Sequence, residues 1–483
     1  MKMKINIAEK YKELSPPVKA SLWYTICNVI NKGIALLSTP IFTRVMSEEQ
    51  YGQFSIFQSW VSILIIFTSL NVFLSGYQKG LILFADDVER FTSSQLGLII
   101  TITAVFLGVY IIAPSFWTEV FQLSPVLMIA MFAELFFMPS TELWSAKQRF
   151  DYKYKKYVAL TIFMTALSLG GGIIAVGLTS YKTEARVYAD MLAKGLVGVL
   201  LLALLFCRGK IFYNKKYWTY ALGFNLPLIP HYLSNYVLNQ SDRLMIGRMV
   251  GTAQAAYYSV AYTISSMMML VMTAINNSLT PYIYKSIRDG KTKDIRKVAN
   301  GLVVLIACLC MCVMAFAPEV IYVFAGEKYM DAIYVIPPIA LSVLFIFLYS
   351  LFSTIEYYYE KTKWISTATC ICAVLNLILN FVFIKIYGYY AAGYTTLICY
   401  IFLAYVHYLF YRKVLSEKKI ESEIYDIKLI LAVSVGTIVL MFALVVVYKN
   451  VLIRYLMVSI IVLIAIVNKN KIMNMLLAVK NKE

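Results

Sequence analysis

The sequence predicts an all-α polytopic membrane protein with about 14 transmembrane helices, and three observations predict it. First, 60% of the 483 residues are hydrophobic and only 14% are charged, with a mean hydropathy of +0.71. A soluble chain of this size is about half apolar and about a quarter charged. Second, apolar runs of about 20 residues, the length that crosses a hydrocarbon core, recur from one end to the other. Third, Lys and Arg fall in the short segments between those runs. A net charge of +18 and a pI near 9.3 would otherwise suggest a nucleic-acid partner. Their placement instead follows membrane topology, and no nucleic acid is expected.

In chain order the predicted spans are 20–43, 52–76, 93–113, 119–140, 157–178, 187–207, 217–241, 255–280, 298–317, 332–355, 364–384, 391–410, 428–447 and 453–467. The first and seventh are the least apolar, because both carry polar residues throughout. The opening MKMKINIAEKYKELSPPVKA is too long for the basic region of a signal peptide, and a full-length apolar run follows it. It is expected to be a cytoplasmic, amphipathic lead-in. With the N-terminus inside, inner loops hold about 32 Lys and Arg and outer loops about 9, as the positive-inside rule requires. The inner loops include AKQRFDYKYKK, RGKIFYNKK, YKSIRDGKTKDIRK and YRKVLSEKK, and the outer ones SEEQY, APSFWTE and SYKTEAR. Fourteen spans also put the basic C-terminus inside. The expected setting is a cytoplasmic membrane, with both termini inside. No loop reaches about 30 residues, so no soluble catalytic domain fits between spans.

Eight cysteines lie mostly in apolar runs, and Cys308, Cys310 and Cys312 are spaced by two, so they fan around a helix. There is no C-x-x-C pair and only His231 and His407 occur. Neither metal nor a disulfide framework is expected. The chain lacks G-x-x-x-x-G-K-[ST], so direct use of ATP is not expected, and no cofactor is called for.

A weak internal repeat sets the domain plan. At an offset of 204, TRVMSEEQYGQFS (Thr43 to Ser55) lies over GRMVGTAQAAYYS (Gly247 to Ser259), pairing Arg44 with Arg248, Gln50 with Gln254, Phe54 with Tyr258 and Ser55 with Ser259. Both passages follow the first span of a six-span set, and an even number of intervening spans gives the halves the same orientation. The expectation is a parallel pseudo-repeat about the membrane normal, with substrate bound between the halves. The domains read as 1–213 (spans 1–6), 214–412 (spans 7–12) and 413–483 (spans 13–14 and a basic tail).

Polar residues inside spans are the candidate site. Thr25, Asn28, Lys32, Thr39 and Thr43 recur at steps of three, four or seven and form one stripe. Asn235, Asn239 and Asp242 do the same in the seventh span, with Arg243 beside them. Lys32 lies about 15 Å deep, at about 1.5 Å per residue, where snorkelling is difficult. It is expected to face a central cavity; the alternative is an ion pair with Glu134. Arg243 and Arg248 serve either as substrate contacts or, with Asp242, as an interfacial anchor. Asp190 and Lys194 are one turn apart and are explained by an i,i+4 pair without function. Glu134 is either a coupling group or the partner of Lys32. His231 and His407 read as polar helix-lining residues, a proton relay having no second support. Pro227 and Pro230 break the seventh span, and Pro40 is expected to break the first nearer its outer end; each break either serves a cavity or is a static kink. The run Gly170-Gly171-Gly172 permits close packing or flexing. Many of the 38 tyrosines fall near span ends, as aromatic belts do.

GFNLPLIPHYLSNYVLNQSDRLMIGRMVGTAQAAYYSVAY resembles the seventh-helix region of bacterial polysaccharide flippases of the Wzx type. These belong to the multidrug/oligosaccharidyl-lipid/polysaccharide exporter superfamily. The shared elements are Pro227, Asp242-Arg243, Ile246-Gly247, Gly251 and Tyr258-Ser259; Arg44, Tyr51 and Gly52 carry the matching passage after the first span. Ala256 stands where the family commonly has Gly. The resemblance implies two six-helix lobes in a V around a central cavity, as in MATE-type transporters, with the last two helices appended. It implies alternating access and a substrate of sugars on an undecaprenyl diphosphate carrier. A deep Lys suits the anionic diphosphate, and Asn, Thr and Tyr suit sugar hydroxyls. The expected drive is an ion gradient, and the expected partners are the carrier-linked glycan, the bilayer and polysaccharide polymerase machinery. The rivals are a drug or cation antiporter or a peptidoglycan-precursor flippase of the same superfamily, and, from another class, a membrane polysaccharide polymerase. The short outer loops, without paired carboxylates, tell against the polymerase.

Overall fold

The computed structural model describes residues 15–420, 423–457 and 459. In chain order its helices are α1 (Pro16–Val45), α2 (Glu48–Ser69), α3 (Ser75–Leu83), α4 (Val88–Ile112), α5 (Pro114–Phe121), α6 (Pro125–Phe150), α7 (Tyr154–Leu178), α8 (Lys182–Gly209), α9 (Lys215–Asn225), α10 (Ile229–Met249), α11 (Thr252–Arg288), α12 (Thr292–Ala315), α13 (Ala317–Ala325), α14 (Ile336–Tyr358), α15 (Thr362–Tyr387), α16 (Tyr390–Glu417) and α17 (Ile427–Val447). No strand occurs among the described residues. The chain divides into two compact units, Met1–Tyr236 and Val237–Glu483, with the division inside α10.

Twelve helices among the described residues are long and apolar enough to cross a membrane, rather than fourteen. The seventh predicted span is not one of them. It comprises α9, a 3-10 turn at Leu226–Leu228 and α10. Pro227 sits in that turn and Pro230 in the first turn of α10, where its missing N–H is least costly. The fourteenth, 453–467, lies mostly outside the described residues. The expected break at Pro40 is absent: α1 runs through it to Val45. One lost backbone hydrogen bond is tolerable where Thr43 Oγ1 donates to Thr39 O at 2.8 Å and steadies the same turn.

Helix boundaries repeat at the same shift of 204 residues. It carries the end of α1 at Val45 onto the end of α10 at Met249, and the start of α2 at Glu48 onto the start of α11 at Thr252. It also carries Val88 of α4 onto Thr292 of α12, and the Ala113-Pro114 entry of α5 onto the Ala317-Pro318 entry of α13. The caps differ. Ser47 closes a capping box on α2, accepting from Gln50 N at 3.2 Å while Gln50 Oε1 accepts from Ser47 N at 3.0 Å. Its counterpart Gly251 has φ +152°, and a Cβ there would come 2.6 Å from Gln254 Oε1. Only glycine fits that entry without strain.

Within the first unit, α8 is the hub, packing on α6, α7, α4 and α2. Gly198 lets α8 approach α6: a Cβ would meet Phe137 O at 2.7 Å, and Ser140 Oγ donates to Gly198 O at 2.7 Å. Within the second unit, α14 is the hub, flanked by α16, α11 and α12, with 89% of its most apolar window buried. The same measure for α7 is 6%, although α7 is nearly as apolar. Such an outward apolar face is stable in hydrocarbon and not in water.

Candidate functional site

The close approach of α6 and α8 at Gly198 sets one helical turn of each side by side. There Lys194 Nζ lies 2.5 Å from Glu134 Oε1 and 2.9 Å from Asp190 Oδ2. Arg186, Asp190 and Lys194 recur at i, i+4 and i+8 and share a face of α8. Arg186 Nη1 is 3.9 Å from Asp190 Oδ1, and its guanidinium lies over the rings of Phe42 (4.5 Å) and Phe54 (5.2 Å). Ser168 Oγ on α7 donates to Asp190, and Gln58 Nε2 on α2 donates to it at 3.4 Å. Two cations and two carboxylates are thereby held together in an otherwise apolar bundle. Isolated charges would be costly there, and mutual pairing makes them tolerable. Of the glycine run, Gly172 packs against Arg186 Nη1, while Gly170 and Gly171 face open space.

This cluster floors a cavity of about 420 Å³ between α1, α6, α7 and α8. Its walls carry Asn31 and Ser38 from α1, Thr141, Glu142, Ser145 and Arg149 from α6, and Tyr157, Thr161, Thr165 and Ser168 from α7. Thr165 Oγ1 donates to Asn31 Oδ1 at 3.0 Å, tying α7 to α1. Arg149 stacks over the Tyr157 ring at 5.4 Å and has no carboxylate partner among the described residues. The chemistry on offer is that of a wet, hydroxyl-rich chamber with fixed charges at its floor.

The expected stripe on the first span does not share one environment. Thr25, Asn28 and Lys32 are exposed, while Thr39 and Thr43 are buried. The cavity is lined by Asn31, Ile34, Ala35 and Ser38, about 100° around the helix from Lys32. The proposed Lys32–Glu134 pair is therefore corrected: Glu134 pairs with Lys194. The i,i+4 pair of Asp190 and Lys194 is present and is enlarged by Glu134 and Arg186. Arg186, Glu142 and Arg149 were not singled out from the sequence. Arg186 fell in a predicted loop, although its spacing from Asp190 and Lys194 was the available signal.

In the second unit, Asp242 and Arg243 part company. Asp242 is fully buried and accepts from Asn380 Nδ2 at 2.6 Å, Thr396 Oγ1 at 2.9 Å and the Tyr258 hydroxyl. Asn380 also donates to Asn376 Oδ1 at 3.2 Å and accepts from Thr395; Ser241 Oγ donates to Asn376 Oδ1 at 3.3 Å. These bonds join α10, α11, α15 and α16. Arg243 instead donates to Asn239 O at 3.3 Å and to Gln240, and lies 4.4 Å over the Tyr262 ring, whose hydroxyl donates to Asn239 Oδ1 at 2.7 Å. Adjacent residues point about 100° apart on a helix, so the expected Asp242–Arg243 interfacial anchor does not form. Arg248 is exposed. Asn235 donates to His231 O at 3.0 Å. His407, fully buried, has Nδ1 2.8 Å from Glu356 Oε1 and is a paired core residue.

The chain matches the polysaccharide biosynthesis protein family over residues 18–287 and the MatE family over residues 227–382. It is 25% identical over 385 residues to Lsg locus putative protein 1 of Haemophilus influenzae, covering 75% of this chain and 88% of that one. It is 19% identical over 387 residues to the probable low-salt glycan biosynthesis flippase Agl15 of Haloferax volcanii, covering 78% and 80%. Among solved structures it resembles the lipid II flippase MurJ in an inward closed conformation, with TM-score 0.69 and 15% identity over 93% of this chain and 100% of that one. It also resembles an inward-facing multidrug resistance MATE family transporter, with TM-score 0.65 and 14% identity over 81% and 96%. At such identities the structural likeness establishes the fold. With more than half its length matched by the family, the chain belongs to the polysaccharide biosynthesis protein family.

Proposed function

We propose that this chain is a flippase that moves undecaprenyl-diphosphate-linked oligosaccharide repeat units from the cytoplasmic to the outer leaflet of a bacterial inner membrane. It works by alternating access between its two halves and draws on an ion gradient, with both termini cytoplasmic. The observation that carries the reading is the charged, hydroxyl-lined cavity of about 420 Å³ inside an apolar helix bundle of this family. A polar headgroup needs such a path, because crossing hydrocarbon bare is prohibitive. Lys32, exposed in mid-helix, supplies a point charge for the diphosphate, with Asn28 beside it. On α10, Arg243, Arg248, Asn235 and Asn239 are further substrate contacts in this reading. The relative whose name specifies a glycan flippase supports the substrate class.

Deleting the gene in its host and assaying which leaflet holds the carrier-linked glycan tests the proposal. Accumulation on the cytoplasmic side, with loss of surface polysaccharide, is the expected result. The fold likeness to MurJ and MATE transporters supports a second reading, a peptidoglycan-precursor flippase or a drug antiporter. Loss of peptidoglycan synthesis or altered drug tolerance with normal glycan would favour it.

A further inference from the structure

We infer that Glu356 on α14 and His407 on α16 are a proton-binding site, a pair that takes up and releases one proton and so makes the proton the coupling ion. The inference rests on the flippase reading above and identifies the ion that drives it, with its site.

Comparing the buried carboxylates singles out Glu356. Among the described residues four are buried: Glu134, Asp190, Asp242 and Glu356. Glu134 and Asp190 face Lys194, with Arg186 beside Asp190. Lys and Arg stay charged near neutral pH, so these carboxylates keep their charge as well. Asp242 is held by three neutral donors, Asn380, Thr396 and Tyr258. Glu356 has neither arrangement. Its partner is His407, whose Nδ1 lies 2.8 Å from Oε1, and both side chains are fully buried. Histidine is the side chain whose charge is optional near neutrality. The countercharge of Glu356 is therefore a proton that can come and go.

Charge counting gives the number of protons. A neutral imidazole donating from Nδ1 to the carboxylate leaves the pair with a single negative charge. One added proton makes the pair net neutral, whether it rests on the carboxyl or on the ring. A second would leave a lone positive charge. A lone charge of either sign is costly inside an apolar bundle, whereas the neutral pair is not. The closed site thus holds one added proton and yields it only where water reaches the pair, the two groups titrating as a unit. Glu356 Oε2 and His407 Nε2 make no hydrogen bond with another described residue. Buried polar atoms in a purely structural pair are normally satisfied. Here the free Nε2 and Oε2 leave each ring and carboxyl a second position for the proton.

Nothing around the pair fixes its charge. Apart from His407, no titratable group of α11, α12, α15 or α17 among the described residues acts on the Glu356 carboxylate. The surrounding groups are neutral phenols and a thiol. Tyr349 on α14 stacks 5.6 Å from the His407 ring, with Cys372 of α15 near it, and Tyr357 follows Glu356, with Tyr284 of α11 near it. Access is short on one side: Tyr357 is exposed and α14 ends at Tyr358, the end that the flippase reading puts toward the cytoplasm. In the other direction Tyr349 and Tyr400 lie two turns before Glu356 and His407 on the same helix faces. Tyr400 is within electrostatic reach of Tyr349, Tyr262 and Asp242. A brief step to water on one side and a line of hydroxyls on the other give the proton two directions of travel.

The test uses the full-length protein. The chain has only two histidines, so isotope-labelled histidine in nanodiscs, with His231→Gln to identify the remaining resonance, reads the ring of His407 directly. The infrared band of a protonated carboxyl, compared with Glu356→Gln, reads the other half of the pair. Uptake of one proton by the pair is expected on lowering the pH from about 9 to about 5. A pair whose protonation does not change across that range would overturn the proton site. In vesicles holding the carrier-linked glycan from a strain lacking the gene, with the membrane potential clamped at zero, a gradient of about one pH unit is expected to skew the glycan about tenfold between leaflets. Glu356→Gln and His407→Gln are expected to leave the distribution even within about twofold. An undiminished skew in Glu356→Gln, or a wild-type skew that follows a sodium gradient and not a pH gradient, would overturn the coupling. Wild-type vesicles in which no glycan crosses would instead overturn the flippase reading, and the titration, which leaves the pair intact, still decides whether it binds a proton.

Discussion

Lys194 on α8 places its ammonium 2.5 Å from the carboxylate of Glu134 on α6, the two residues being 60 positions apart in the chain. The contact makes α6 and α8 one body at the floor of the cavity, with Asp190 and Arg186 as further members of the cluster.

Removing one partner leaves the other charge unmatched in a poor dielectric. Lys194→Met is expected to destabilise the purified protein by about 3 kcal/mol, and Glu134→Met by a similar amount. The double variant is expected to recover much of that loss, because no lone charge remains. Thermal unfolding in detergent of the two single variants and the double variant measures the coupling.

Lys32 is the control for that result. It is exposed and holds no ion pair among the described residues, so Lys32→Ala is expected to leave stability within about 0.5 kcal/mol of wild type. Glycan export is nevertheless expected to fall to background. Export assays paired with thermal unfolding of the same variant separate the two effects, and full export would remove Lys32 from the path.

These two lysines also mark what the sequence could and could not reveal. Both stood out as charges in apolar spans, and the offset of 204 located the matching helix ends. Asp190 and Lys194 were legible as neighbours because i and i+4 lie on one face. Their link to Glu134 was not, since no periodicity records which distant helix packs against α8. Lys32 and Asn31 are adjacent in sequence but face differently, so a stripe drawn at steps of three and four mixed exposed Asn28 with buried Thr39. Arg186 was lost to a span boundary placed one residue beyond it, an error within the usual uncertainty of helix ends. The break near Pro227 was readable because proline chemistry is local, whereas Pro40 shows that a packed helix can carry the residue straight.

Asp242 is expected to hold the second unit together. Asp242→Ala strands the donors of Asn380, Thr396 and Tyr258 in a buried site, at a cost of about 3 kcal/mol. Tyr258→Phe removes one donor and is expected to cost about 1 kcal/mol. Limited proteolysis, read as fragments from the two halves, is expected to show the second unit opening first in Asp242→Ala.

The two helix entries related by the repeat should respond differently to alanine. Ser47→Ala loses a capping box and is expected to cost about 1 kcal/mol. Gly251→Ala forces a side chain into φ +152° against Gln254 and is expected to cost more. Comparing the unfolding midpoints of the two variants checks the order.

Flipping itself is most directly measured in vesicles. The purified chain, reconstituted with a carrier-linked glycan confined to one leaflet, is exposed to a membrane-impermeant sugar oxidant or glycosidase. Transfer that makes the opposite leaflet's glycan accessible, absent from protein-free vesicles and from Lys32→Ala, is the predicted result. A rate equal to that of empty vesicles, from protein that is folded and binds the glycan, would contradict the assignment of this chain as a flippase.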